Sequence, residues 1–113
     1  MLETEKQKND SQQNELKFNR ENITLFRLGE VVATPGAIEA FKKAEVSPLW
    51  FLAKHQDGDW GEISENDKAE NELSLKEGFR LLSAYTLPKT GEKIWIITEA
   101  DRSVTTLLLP EEY

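Results

Sequence analysis

The chain has no cysteine, one histidine and one methionine among its 113 residues. Without cysteine there is no disulfide, no thiolate metal site and no thiol nucleophile. No apolar run approaches the ~20 residues that a membrane-spanning helix needs. The opening residues, Met1 to Asp10, are almost all polar, so no signal peptide is expected and the expected compartment is the cytoplasm. Basic side chains are the minority, with 14 Lys and Arg against 21 Asp and Glu and a formal net charge of −7. Phosphate backbones and anionic membranes are held by dense Lys and Arg, so passive adhesion to nucleic acid or membrane is not expected. A protein partner with a basic surface fits the charge better. The chain also lacks a Gly-rich phosphate loop, a nucleophile elbow and an HExxH pair. No metal and no cofactor is implied.

A length of 113 residues suits one domain, and three Trp and five Phe supply much of its apolar area. Residues 1–22 are rich in Glu, Lys, Gln and Asn and are expected to form a disordered or loosely ordered polar tail. Residues 23–113 are expected to form a single α+β domain. The stretch 23–33 (ITLFRLGEVVA) is β-rich, with Gly29 as a bulge or bend. Thr34-Pro35 and Ser47-Pro48 each place an N-cap before Pro at the first helical position. The first helix runs to about Ala44 with Ile38 and Phe41 facing inward. The second runs to about His55, is apolar nearly all round, and is expected to be buried or to cover a groove. Two glycines and two aspartates make residues 56–62 a loop. Ser64 and Asp67 then resemble a capping box, and a third helix runs to about Gly78. On it Glu72 and Lys76 can pair, while Leu75 and Phe79 share a face.

From Arg80 the period changes to that of strands. Residues 80–87, 93–98 and 104–109 are joined by the short loops 88–91 and 99–102, which force a three-stranded antiparallel β-meander. With the first strand the sheet has three to four strands. Ile94 and Ile96 point to one side of the middle strand, Trp95 and Ile97 to the other. Both sides are apolar, so the helices can cover one, and the other is covered by the first strand, by a partner, or not at all.

Three features bear on chemistry. His55 is either a general base or a cation at a helix C-terminus. Asp57, Asp59 and Glu62 miss the EF-hand spacing, because Gly61 stands at the third ligand position, so a turn is expected there and no metal. Trp60 between these turns is a core anchor or a recognition aromatic. The run 97–107 gathers Glu99, Asp101, Arg102 and Ser103 at a turn, followed by Thr105 and Thr106. An Arg with a carboxylate and hydroxyls at a sheet end has the parts for phosphodiester cleavage. In that reading His55 or Glu99 is the base, Arg102 holds the phosphate and Thr105 donates a hydrogen bond. The plainer reading is a polar β-turn with a Thr-rich strand. Arg80, Tyr85, Trp95 and Asp101, with Trp60, are candidate binding residues.

The segments 28–37 (LGEVVATPGA), 55–62 (HQDGDWGE), 78–85 (GFRLLSAY) and 93–106 (KIWIITEADRSVTT) resemble a family of small bacterial proteins borne on plasmids and integrative elements. The resemblance spans nearly everything after Asn22 and brings no settled activity. Some members bear the label of a type I restriction modification subunit. An adenine methyltransferase needs an Asn/Asp-Pro-Pro-aromatic motif and a Rossmann half, and the chain has neither. The order of helices then meander is also similar to the barnase, colicin and RelE-type ribonucleases. The expectation is a non-enzymatic interaction protein of a mobile element. A metal-independent RNase is the first alternative, and an antitoxin or immunity protein the second.

Overall fold

The computed structural model describes residues 24–113. The expected tail, residues 1–22, lies outside the described residues. The order of elements is β1 (Glu30–Ala33), α1 (Pro35–Ala44), α2 (Pro48–Gln56), α3 (Glu65–Glu77), β2 (Leu81–Thr86), β3 (Lys93–Thr98) and β4 (Val104–Leu108). A short 3₁₀ turn, Pro110–Glu112, closes the chain. The fold is α+β, with a four-stranded mixed sheet in the order β1-β4-β3-β2.

The caps form as the residue types dictate. Thr34 Oγ1 accepts from Ala37 N, Ser47 Oγ from Leu49 N and Ser64 Oγ from Asp67 N. Each pair satisfies one of the donors that a helix start leaves orphaned. The three C-terminal strands form the antiparallel meander, with Trp95 opposite both Ala84 and Leu108. β3 is therefore an interior strand.

The first strand departs from the expected stretch. Only residues 30–33 are strand, and they run parallel to β4, with Val31 opposite Thr105 and Ala33 opposite Leu107. β1 extends the sheet and does not lie over a face. Gly29 precedes the strand at φ +65°, where a Cβ would lie 2.3 Å from the Ser103 carbonyl oxygen. That approach lets Glu30 N donate to Ser103 O at 2.9 Å and starts the parallel ladder.

One sheet face is covered by α1 and α2. Ala37, Ala40, Phe41 and Ala44 form the buried stripe of α1. Their i, i+3, i+4, i+7 spacing marks one helix face, and three alanines let the helix sit close to the sheet. Ile38 lies off that stripe and is exposed, contrary to the inward position expected for it. Phe51, Leu52 and His55 form the inward face of α2. Leu49 and Trp50 are 73% and 65% exposed, so α2 is buried on one side only. Phe41 and Phe51 pack with Tyr85, Leu87, Ile94, Ile96 and Leu107 in the main core. Burial of each Phe contributes about 2–3 kcal/mol.

A smaller core joins Phe26, Trp60 and Leu81, with Leu75 packed against it. Phe79 is exposed and does not share a buried face with Leu75. Glu72 accepts from the Trp60 indole at 3.1 Å, the role taken in place of pairing with Lys76. The loop around Trp60 is drawn onto β2: Ala84 N donates to Trp60 O and Glu62 N to Ala84 O. Gly61 sits between them at φ +76°, and a Cβ there would lie 2.0 Å from Ala84 O.

Candidate functional site

The turn from Glu99 to Ser103 held the sequence's best concentration of chemical groups. Arg102 has a left-handed backbone, φ 63°. This turns its side chain back under the sheet end. Nη1 donates to the carbonyls of Phe79 (2.7 Å), Glu99 (3.1 Å) and Ala100 (3.1 Å), and Nη2 to that of Ser74 (3.1 Å). The guanidinium also lies over the Phe26 ring, 5.8 Å from its centre. Four carbonyls and a ring occupy the group, so it ties the end of α3 to the β3–β4 turn. Asp101 accepts from Ser103 N at 3.0 Å and Ser103 Oγ at 2.6 Å. The Ser103 hydroxyl and amide hold its carboxyl below the usual carboxylate range. This is the chemistry of an Asx turn. Glu99 is exposed at the same turn.

His55 is wholly buried. Its Nδ1 lies 2.5 Å from Ser83 Oγ and its Nε2 2.9 Å from Thr98 Oγ1. Thr98 Oγ1 lies 2.7 Å from Thr105 Oγ1, and Thr105 Oγ1 donates to Leu28 O at 2.7 Å. A carbonyl can only accept, and that fixes the bonds as far as His55 Nε2. Thr105 spends its one hydrogen on Leu28, so it accepts from Thr98. Thr98 in turn accepts from Nε2–H of His55. Burial keeps the imidazole neutral, so Nδ1 accepts from Ser83. Burial, and secondarily the nearby Arg102 charge, hold its pKa down at about 3. Phe26 and Trp60 pack edge-on against the ring.

The sheet register brings these hydroxyls to one place, because Leu81 pairs with Thr98 and Thr98 with Thr105. His55 and Thr105 are thus linked through Thr98 in the interior, with the half-buried Arg102 close by and its two Nη atoms bonded to carbonyls. Glu99 stays outside. The residues proposed for an RNase do not open together onto a cleft. One sequence signal for the network existed: His55 shares the helical spacing of Phe51 and Leu52. Ser83, Thr98 and Thr105 as its partners carried no local signal.

The binding candidates divide in the same way. Trp60 and Tyr85 are buried. The Tyr85 hydroxyl donates to Asp59 O at 2.6 Å, and burial pushes its pKa up. Arg80 and Trp95 lie on the sheet face away from α1 and α2. Arg80 Nη1 donates to the Tyr113 hydroxyl at 2.7 Å, and its guanidinium lies 5.5 Å from that ring's centre. Tyr113 meets Trp95 edge to face at 5.6 Å. Leu73, Phe79, Arg80 and Leu82 line an adjoining cleft of about 450 Å³ beside α3. A separate apolar groove, also about 450 Å³, lies between β1 and the α1–α2 corner. Tyr113 and both grooves were missed in the sequence, because each is assembled by chain return.

Among the described residues no three His, Cys, Asp or Glu side chains group so as to hold a metal ion, and no helix is long and apolar enough to cross a membrane. No protein-family model matches the chain, and no curated protein or solved structure does so at a significant level.

Proposed function

We propose that the protein is a non-enzymatic interaction protein, a cytoplasmic accessory factor of a bacterial mobile element that acts in host takeover or counter-defence. One observation carries the binding half of this reading. His55, Arg102 and Thr105 are spent on contacts within the fold, whereas Arg80, Tyr113 and Trp95 form a connected array on the less covered sheet face. Arg, Tyr and Trp are the residue types that anchor protein interfaces, because they combine large contact area with directional bonds. The mobile-element setting is supported by the likeness of residues 28–37, 55–62, 78–85 and 93–106 to plasmid-borne proteins. A charge of −7 also suits an antitoxin or immunity protein that covers a basic nuclease site.

The test pairs two assays on the full chain. The wild type is expected to leave single-stranded RNA uncut and to retain a partner from a lysate of a bacterial host. Arg80→Glu and Tyr113→Ala are expected to lose that partner with the fold intact by circular dichroism. RNA cleavage that Arg102→Ala abolishes in a still-folded protein would replace this reading with the RNase.

A further inference from the structure

The two margins of the sheet are finished differently. On the β2 side, Leu82 N donates to Asn71 Oδ1 at 3.1 Å and Leu82 O accepts from Asn71 Nδ2 at 2.7 Å. One side-chain amide there imitates a neighbouring strand. Ala84, the next outward residue, is paired with Trp60 and Glu62. That edge is closed at Leu82 and Ala84.

The β1 side is open. Glu30 N and Thr34 N donate to β4. Backbone groups alternate along a strand, so the N–H and C=O of Val31 and Ala33 point away from β4. β1 is terminal in the sheet, and among the described residues nothing meets those four groups. Val31 and Val32 are both exposed. Its four residues hold no Lys, Pro or bulge, and Glu30 is their one charged side chain. Val31 and Ala33 share the helix-covered face with Thr105 and Leu107. On that side Ala33 borders the apolar groove formed with Ile38, Phe41, Val46 and Pro48 and rimmed by Lys42 and Glu45, the latter paired with Lys89.

We propose that the β1 edge receives an extended, net-basic peptide segment of a partner protein as a fifth strand, one apolar side chain of which enters the groove beside Ala33. This rests on the reading of the chain as a binding protein but uses a different surface from Arg80 and Trp95. The open ladder selects an extended backbone, since a helix has no free N–H and C=O along its length to offer. Charge selects the sign. Glu30 flanks the edge and the whole chain carries −7, so a second copy brings repulsion and a basic segment brings attraction.

The test uses three synthetic octapeptides with the full chain: alternating Lys and Val, alternating Glu and Val, and the Lys–Val peptide N-methylated on alternate residues. Binding is read by fluorescence anisotropy, and amide exchange by NMR. The Lys–Val peptide is expected to bind and to slow exchange at Val31 and Ala33 at least tenfold. The Glu–Val and N-methylated peptides are expected to bind at least tenfold more weakly, and Val31→Lys to weaken the Lys–Val peptide similarly. Equal binding of the N-methylated peptide, or protection confined to the Trp95 face, overturns the proposal. So does a dimer in sedimentation that Val31→Lys dissolves, because the occupant is then a second copy. If a lysate partner is lost with Arg80→Glu yet kept with Val31→Lys, and no peptide protects Val31, the edge proposal fails while the binding reading stands.

Discussion

At the scale of single residues, the interior is organised by one carbonyl. Leu28 O accepts from Thr105, and the direction of that bond propagates through Thr98 to the tautomer of His55. The result makes stability sensitive to pH. In the unfolded chain the imidazole takes up a proton below about 6.5, whereas in the folded chain it stays neutral down to about 3. The unfolded state binds more protons over that interval, so stability is full above 6.5 and falls as the pH drops. The slope is about 1.4 kcal/mol per pH unit. Glu62, Asp101 and Glu112 also have lowered pKa values, from hydrogen bonds with Thr86, Ser103 and Thr34 first. Their losses set in below their ordinary values, and His55 dominates between pH 6.5 and 5. Urea unfolding at pH 6.5 and 5.0 should differ by about 2 kcal/mol. His55→Gln should flatten that difference, and an unchanged midpoint in the wild type would rule out a neutral imidazole. Arg102 belongs to the same scale. Arg102→Ala removes four hydrogen bonds, strips the Phe79 and Ala100 carbonyls of their donor, and should destabilise by about 2–3 kcal/mol in chemical denaturation.

At the scale of elements, the informative contrast is between a guarded strand and an unguarded one. Asn71 on α3 closes the Leu82 position, and the 60–62 loop closes Ala84. Asn71→Ala removes two bonds and strips the edge. It should cost about 2 kcal/mol and add concentration-dependent association, visible in light scattering. Gly61→Ala tests the neighbouring device. Its Cβ would lie 2.0 Å from Ala84 O at a positive φ, so the loop must leave β2 or strain the backbone. A loss of roughly 1–3 kcal/mol with faster exchange at Ala84 is expected. Element ends are tied together too. Glu112 accepts from Thr34 Oγ1, Gly36 N and Leu109 N, so the last residues clamp the start of α1.

At the scale of the molecule, the acidic charge and the open surfaces act together. A net charge of −7 speeds the approach of a basic partner and slows that of a second copy. Association with the captured partner, or with the Lys–Val peptide, should therefore slow about tenfold between roughly 0.05 and 0.5 M salt, while dissociation changes little. Stopped-flow anisotropy of a dye-labelled peptide or partner measures this directly. A salt-independent rate would remove charge from the account of partner choice.

Much of the architecture was legible along the chain. Thr34-Pro35 and Ser47-Pro48 announced helix starts, Ser64 announced the third, and alternation after Arg80 announced the meander. These signals are local: a cap needs only a side chain and an amide three residues on, and a hairpin needs only a short loop. Burial was less legible where a stripe was ambiguous, as for Ile38, one residue off the alanine face of α1. The candidate site was hardly legible. Arg102 and His55 were visible as residue types, but their partners come from Ser74, Phe79, Ser83 and Thr98, as many as 43 positions away. The sequence by itself determined the element types, the interior place of β3 and the acidic sign of the surface. Only the tertiary structure decided that β1 runs parallel at one margin, that the polar groups turn inward, and which edge stays open. The physical reason is that hydrogen-bond satisfaction is settled by which distant groups packing brings within 3 Å, and no local pattern encodes that.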